Sequence, residues 1–192
     1  AQSHIGMATR LATDEDARMR RDESVAAVLG LTTVSSAVKA AALLLEIAKG
    51  DAAALVDRHD ASEREALLHS LGITPGGAIP QALRSQLKTL EEDQKRRATR
   101  SLRDAVDRIL VDVMSVLRDV LMLQVNSGVE LVNQRHIEGI EARAAGTTPD
   151  LTLAALDALG LARTAMAGNS PPLLVLEALL ISASGRVPIA SP

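Results

Sequence analysis

His59-Asp60 is the adjacent pair with which one class of metal phosphohydrolase holds its ions, an imidazole nitrogen and a carboxylate oxygen both being good ligands for a divalent metal. Such a centre needs further His and Asp ligands, and the remaining histidines, His4, His69 and His136, stand in no matching pattern. No His-Glu-x-x-His motif, Glu-x-x-His pair or recurring carboxylate pair at di-metal spacing is present. Gly76-Gly77 sits between prolines and leads into no Lys-Ser/Thr pair, so it reads as a flexible turn rather than a phosphate loop. No serine lies in a Gly-x-Ser-x-Gly setting. The chain has no cysteine, which excludes disulfides, a thiolate nucleophile and cysteine-ligated zinc or iron–sulfur sites. The expectation is a protein with no catalytic residues, no metal, no cofactor and no small-molecule substrate.

Two charged groups remain. Residues 91–100 read Glu-Glu-Asp-Gln-Lys-Arg-Arg-Ala-Thr-Arg. On a helix, Glu91 with Lys95, Glu92 with Arg96 and Asp93 with Arg97 are acid-first pairs four residues apart, which mark an exposed helix. The same run can instead present Arg96, Arg97, Arg100 and Arg103 as a basic face for a partner or nucleic acid. Arg118-Asp119 differs, because it lies between Val116-Leu117 and Val120-Leu121. Charges in so apolar a stretch are paired internally, fixing helix register, or meet a subunit interface.

The elements that position these residues read as helices. Apolar residues make up 47% of 192, yet Phe, Trp and Tyr are absent, so aliphatic side chains do all the packing. Without aromatics there is no stacking platform for single-stranded nucleic acid, and the net charge of −3 does not attract phosphate backbones. Residues 34–48 are the most apolar stretch, but Lys39 and Glu46 interrupt it and it is too short to span a bilayer. With no signal peptide, the expected location is the cytoplasm. The start at Ala1-Gln2-Ser3, without Met, points to a piece of a longer protein.

Glycine and proline punctuate the helices. A short helix is predicted at 5–12, then one capped by Thr13 or Asp14 that stops at Gly30. A third opens at Thr33 or Ser35 and ends at Lys49-Gly50, and a fourth is capped by Asp51 and breaks near residues 60–62. Residues 73–80, with two prolines and two glycines, form a loop. Residues 81–125 then carry the longest helical periodicity, with a solvated N-terminal half and a C-terminal half buried on several sides. Weak helix follows over 129–145, then a helix ending at Gly168-Asn169. The last has Ser170 as cap and Pro171 at its first position.

Two separated segments resemble a known family. Residues 118–124, Arg-Asp-Val-Leu-Met-Leu-Gln, precede Asn169-Ser170-Pro171-Pro172-Leu173-Leu174-Val175-Leu176-Glu177-Ala178-Leu179-Leu180 by about fifty residues. This resembles the C-terminal collar domain of bacterial DNA polymerase III clamp-loader subunits, the delta-prime type in particular. Residues 3–12 look like the last helix of an AAA+ lid, in which ATPase-competent relatives carry a sensor arginine. Here either Gly6 or Thr9 falls at that position, which implies that no nucleotide is sensed.

The resemblance implies an all-α fold: a multi-helix bundle of the collar type with one long central helix, residues 14–192, preceded by the end of a lid domain, residues 1–13. It implies assembly rather than catalysis, with gamma/tau-like and delta-like loader subunits as partners and DNA met only indirectly. Arg118, Asp119, Gln124, Asn169 and Glu177 become the interface or register candidates. Two other readings compete: a helical regulatory domain holding an apolar small ligand among its aliphatic side chains, and an enzyme with a His/carboxylate metal site.

Overall fold

A computed structural model describes residues 9, 11–70 and 84–185 of the protein. The elements are α1 (Glu15–Leu29), α2 (Val34–Ser70), α3 (Arg84–Gln124), a 3-10 turn (Gln134–His136), α4 (Ile137–Gly146), α5 (Pro149–Ala167) and α6 (Pro172–Ala183). The protein is therefore all-helical, with no strand among the described residues. Most of the expected lid helix, Gly6 included, and the expected loop at 73–80 lie outside the described residues.

Local chemistry sets the helix ends. Asp14 caps α1, its Oδ1 accepting from the Ala17 amide at 3.0 Å, with Glu15 and Asp16 in the first turn where the helix dipole favours acids. At the start of α2, the Thr33 hydroxyl oxygen accepts from the Ser36 amide, and the Ser36 hydroxyl oxygen accepts from the Thr33 amide, each at 3.0 Å. That reciprocal arrangement is a capping box with serine in the usual Glu/Gln place. Thr148 caps α5, and Pro149 occupies its first turn. α6 begins one residue later than expected, with Pro171 at the cap and Pro172 inside. Ser170 is not its cap: the helix opens one residue later, and no side-chain hydrogen bond caps it.

One expectation fails outright. Lys49-Gly50-Asp51 neither ends a helix nor starts one: α2 runs unbroken through them, and through residues 60–62, for 37 residues. Gly50 is helical with open space around it, and a helical glycine costs only about 1 kcal/mol against alanine. Burial of Leu44, Ile47, Ala48, Ala52 and Val56 on both sides of the glycine outweighs that cost. The described residues accordingly hold two long helices, α2 and the 41-residue α3, in place of one.

The chain divides into two compact units, Ala1–Ile47 with Val106–Pro192, and Ala48–Ala105. In the smaller unit the end of α2 and the start of α3 form an antiparallel pair. Ser101 donates to the Ala52 carbonyl, Gln94 to the Asp60 carbonyl, and Arg64 pairs with Glu91. The start of α3 is thus solvated but strapped to α2. In the larger unit α3 becomes the central element: Val106, Leu110, Val113, Val116, Leu117 and Val120 are all fully or almost fully buried. The same unit also buries the aliphatic side chains of Val25 and Val28 of α1, Ala41 and Leu44 of α2, Ile140 of α4, and Leu176, Leu179 and Leu180 of α6. α5 and α6 pack closely on each other.

Candidate functional site

In the larger unit the most elaborate polar structure centres on Asp119, which is 0% exposed. Its Oδ1 accepts from Arg118 Nη1 at 2.7 Å and from the Val132 amide at 3.1 Å. Its Oδ2 accepts from the Asn133 amide at 2.7 Å and from Asn133 Nδ2 at 2.9 Å. Arg118 also donates to the Glu130 carbonyl, and Asn133 Nδ2 to the Ser115 hydroxyl. Arg21 reaches in from α1, its Nη2 donating to Asn133 Oδ1 at 2.7 Å and its Nε to Asp112 at 3.0 Å. Asp119 is therefore an internal anchor. Its four accepted hydrogen bonds fix the segment after α3 to the face of that helix and to α1.

The remaining motif residues sit at junctions. Gln124 Nε2 donates to Thr147 Oγ1 at 3.0 Å, joining the end of α3 to the end of α4. Asn169 adopts φ 65°, with its amide on Met166 and that of Ser170 on Ala165. This is a Schellman stop with asparagine in the left-handed position, and Asn126 repeats it at φ 48° after α3. Glu177 is half-buried on α6 with no hydrogen bond to a described residue. The Thr9 carbonyl accepts from Thr13 Oγ1 at 2.9 Å.

In the smaller unit the expected basic face of four arginines splits. Arg97 turns to α2, its Nη1 lying 2.8 Å from Asp60 Oδ1, 3.0 Å from Glu63 Oε2 and 3.0 Å from His59 Nδ1. The hydrogen bond from Arg97 holds the Glu63 carboxyl below its ordinary range, and the same bond raises the Arg97 guanidinium. His59, Asp60 and Glu63 offer ligand atoms within 4.8 Å of one another, a spacing a metal could use, but the Arg97 guanidinium already supplies a cation there. Arg96, Arg100 and Arg103 remain together around a shallow depression with Asp93 and Thr99. None of the three acid-first pairs forms. Glu91 pairs with Arg64 and Arg97 with Asp60 and Glu63, while Arg96 meets Asp93 at 3.5 Å.

Two features carried no signal in the sequence. Arg143 of α4 is 8% exposed and has no carboxylate partner among the described residues. It donates instead to the carbonyls of Leu31, at 3.0 Å, and of Ala183 at the end of α6, while burial pushes its guanidinium below the usual value. A cation on the Ala183 carbonyl, at the C-terminus of α6, is favoured by the helix dipole. The second feature is a cleft of about 390 Å³ between α1 and residues 130–136. Its lining mixes the charged Arg18, Arg21, Asp22, Glu130 and Arg135 with the aliphatic Leu11, Leu131 and Val132, whereas the depression beside Arg100 is lined by charged side chains and Thr99.

Comparison with protein-family models, curated proteins and solved structures returns no match. Chemically, the polar groups in both units join elements: a buried carboxylate gathers amides, and arginines clasp carboxylates and carbonyls. On the outside, large aliphatic side chains face solvent, including Leu153 and Leu161 on α5, Leu174 on α6 and Val125, Val129 and Val132 between α3 and α4.

Proposed function

We propose that the chain is a non-catalytic subunit-assembly domain of the clamp-loader collar type. It works by burying aliphatic helix faces against sister subunits, gamma/tau-like on one side and delta-like on the other, and acts in the cytoplasm on DNA only indirectly. The observation that carries the assembly reading is the exposure of Leu161, at 73%, and Leu174, at 59%, on the last two helices of an otherwise well-packed aliphatic bundle. Large aliphatic groups held open on rigid helices suit a protein interface. The clamp-loader assignment itself rests on residues 118–124 and 169–180. These segments supply a buried anchor and a helix stop, roles that suit a rigid helical support.

The test mixes the purified protein with gamma/tau-like and delta-like subunits from the same source and measures mass by size-exclusion chromatography with light scattering. The expected result is a stable hetero-oligomer that a Leu161→Glu, Leu174→Glu variant, folded by circular dichroism, fails to enter. If the wild-type protein forms no complex with either subunit, the clamp-loader reading is refuted.

A further inference from the structure

The cleft between α1 and residues 130–136 has a use that assembly does not require. Three guanidinium groups line it, Arg18 and Arg21 from α1 and Arg135 from the 3-10 turn, together with the His136 imidazole. The two carboxylates in the lining are Asp22 and Glu130. Asp22 Oδ1 is 3.1 Å from His136 Nε2, and Glu130 accepts from Gln134 at 2.8 Å. Arg21 is matched by Asp112. Arg18 donates Nη1 to the neutral carbonyls of Leu11 and Ala12, at 2.9 and 3.1 Å, so its position is fixed while its charge is not cancelled. Arg135 meets no carboxylate among the described residues. Among the described residues, Arg18 and Arg135, one on each wall, are thus the guanidinium groups of the lining that meet no carboxylate, while the carboxylates of Asp22 and Glu130 are engaged by His136 and Gln134.

From these features we infer that the cleft binds an oxyanion, a phosphate or carboxylate group, between Arg18 and Arg135. A guanidinium offers paired N–H donors whose geometry matches two oxygens of such a group. The wall carrying Arg135 is held in place before any ligand arrives, because Asp119 accepts the Val132 and Asn133 amides and Arg21 holds the Asn133 side chain. A wall already ordered loses little entropy on binding. Leu11, Leu131 and Val132 complete the lining, so an anion carrying a short aliphatic group gains apolar contact that the bare ion lacks.

The experiment titrates the 15N-labelled protein with inorganic phosphate and with butyl phosphate, at constant ionic strength maintained with chloride, while following backbone amide shifts. The expected result is saturable shifts confined to residues 11–22 and 130–136, with a dissociation constant of about 1 mM. Arg135→Ala, an exposed substitution, should weaken binding about tenfold, as should Arg18→Ala, while Arg163→Ala, on α5 and paired with Asp107, leaves it unchanged. Tighter binding of butyl phosphate supports the site and assigns it an organic anion; equal binding supports the site and assigns it free phosphate. Absence of saturation, or saturable shifts that survive Arg135→Ala undiminished, overturns the proposal. Neither result bears on whether the protein enters a subunit complex.

Discussion

Replacing Asp119 by alanine tests the internal anchor. The substitution removes a buried carboxylate that accepts four hydrogen bonds, from Arg118, the Val132 amide and both the amide and side chain of Asn133. Val132 is exposed and its amide can turn to water, and Arg118 is a third exposed and can do the same. Asn133 is only 2% exposed, so its two donors are left buried. Each unsatisfied buried donor costs about 1–3 kcal/mol, so the two together cost about 2–6 kcal/mol. Removing one partner from a buried ionic pair costs about 3–5 kcal/mol, which agrees. Arg118→Ala, whose guanidinium is partly screened, should cost about 1 kcal/mol, and the double variant less than the sum, because both act through the same oxygen. The assay is urea unfolding followed by far-UV circular dichroism, since a chain without Trp or Tyr has no useful fluorescence. A loss below about 1 kcal/mol for Asp119→Ala would refute the anchor.

Three further outcomes follow from particular contacts. The hydrogen bond from Arg97 holds the Glu63 carboxyl below its ordinary value, so the folded smaller unit binds protons less readily than the unfolded chain. Its stabilisation is present above the unfolded value and lost as pH falls through the lower folded one; Glu63→Gln should flatten urea midpoints across that acid window, and an unchanged slope counts against the clasp. Asn169→Ala forces alanine into a left-handed φ and should cost about 1 kcal/mol, whereas Asn169→Gly should be nearly neutral. An alanine no worse than glycine in the same unfolding assay would contradict the Schellman role. Gly50→Ala adds a Cβ into open space on α2 and should stabilise by about 0.5–1 kcal/mol; a destabilised variant would mean that the helix breaks there after all.

What could be read from the sequence follows from the range of each interaction. Arg118-Asp119 was legible because charge inside a continuous apolar periodicity must find partners. Asp14, Thr33 and Asn169 were legible because caps and stops are chemistry over three to six residues. Gly50 misled, since the punctuation rule weighs local cost while the buried residues on either side decide. Arg97 misled for a related reason. Spacing along one helix finds Asp93, but Asp60 and Glu63 come from the other helix of the pair. Arg143 gave no sign because its acceptors are backbone carbonyls, which every residue has. The cleft is formed from α1 and from residues 130–136, which sequence reading treated as weak helix.

The contacts of Arg143 also constrain the order in which the protein folds. Its two carbonyl acceptors lie 112 residues before it and 40 after it, and the larger unit joins the first 47 residues to everything beyond 105. The helix pair between them has only neighbouring chain to gather, so its loop closure is comparatively inexpensive and it can form while synthesis is under way. The larger unit must wait until α6 has emerged, because only then do Ala183 and the aliphatic face of α6 exist to complete it. A ribosome stalled before residue 172 should therefore display a protease-resistant hairpin flanked by digestible chain. Arg143 can complete its contacts only after both Leu31 and Ala183 have been synthesised, which makes it a latch between segments distant in sequence.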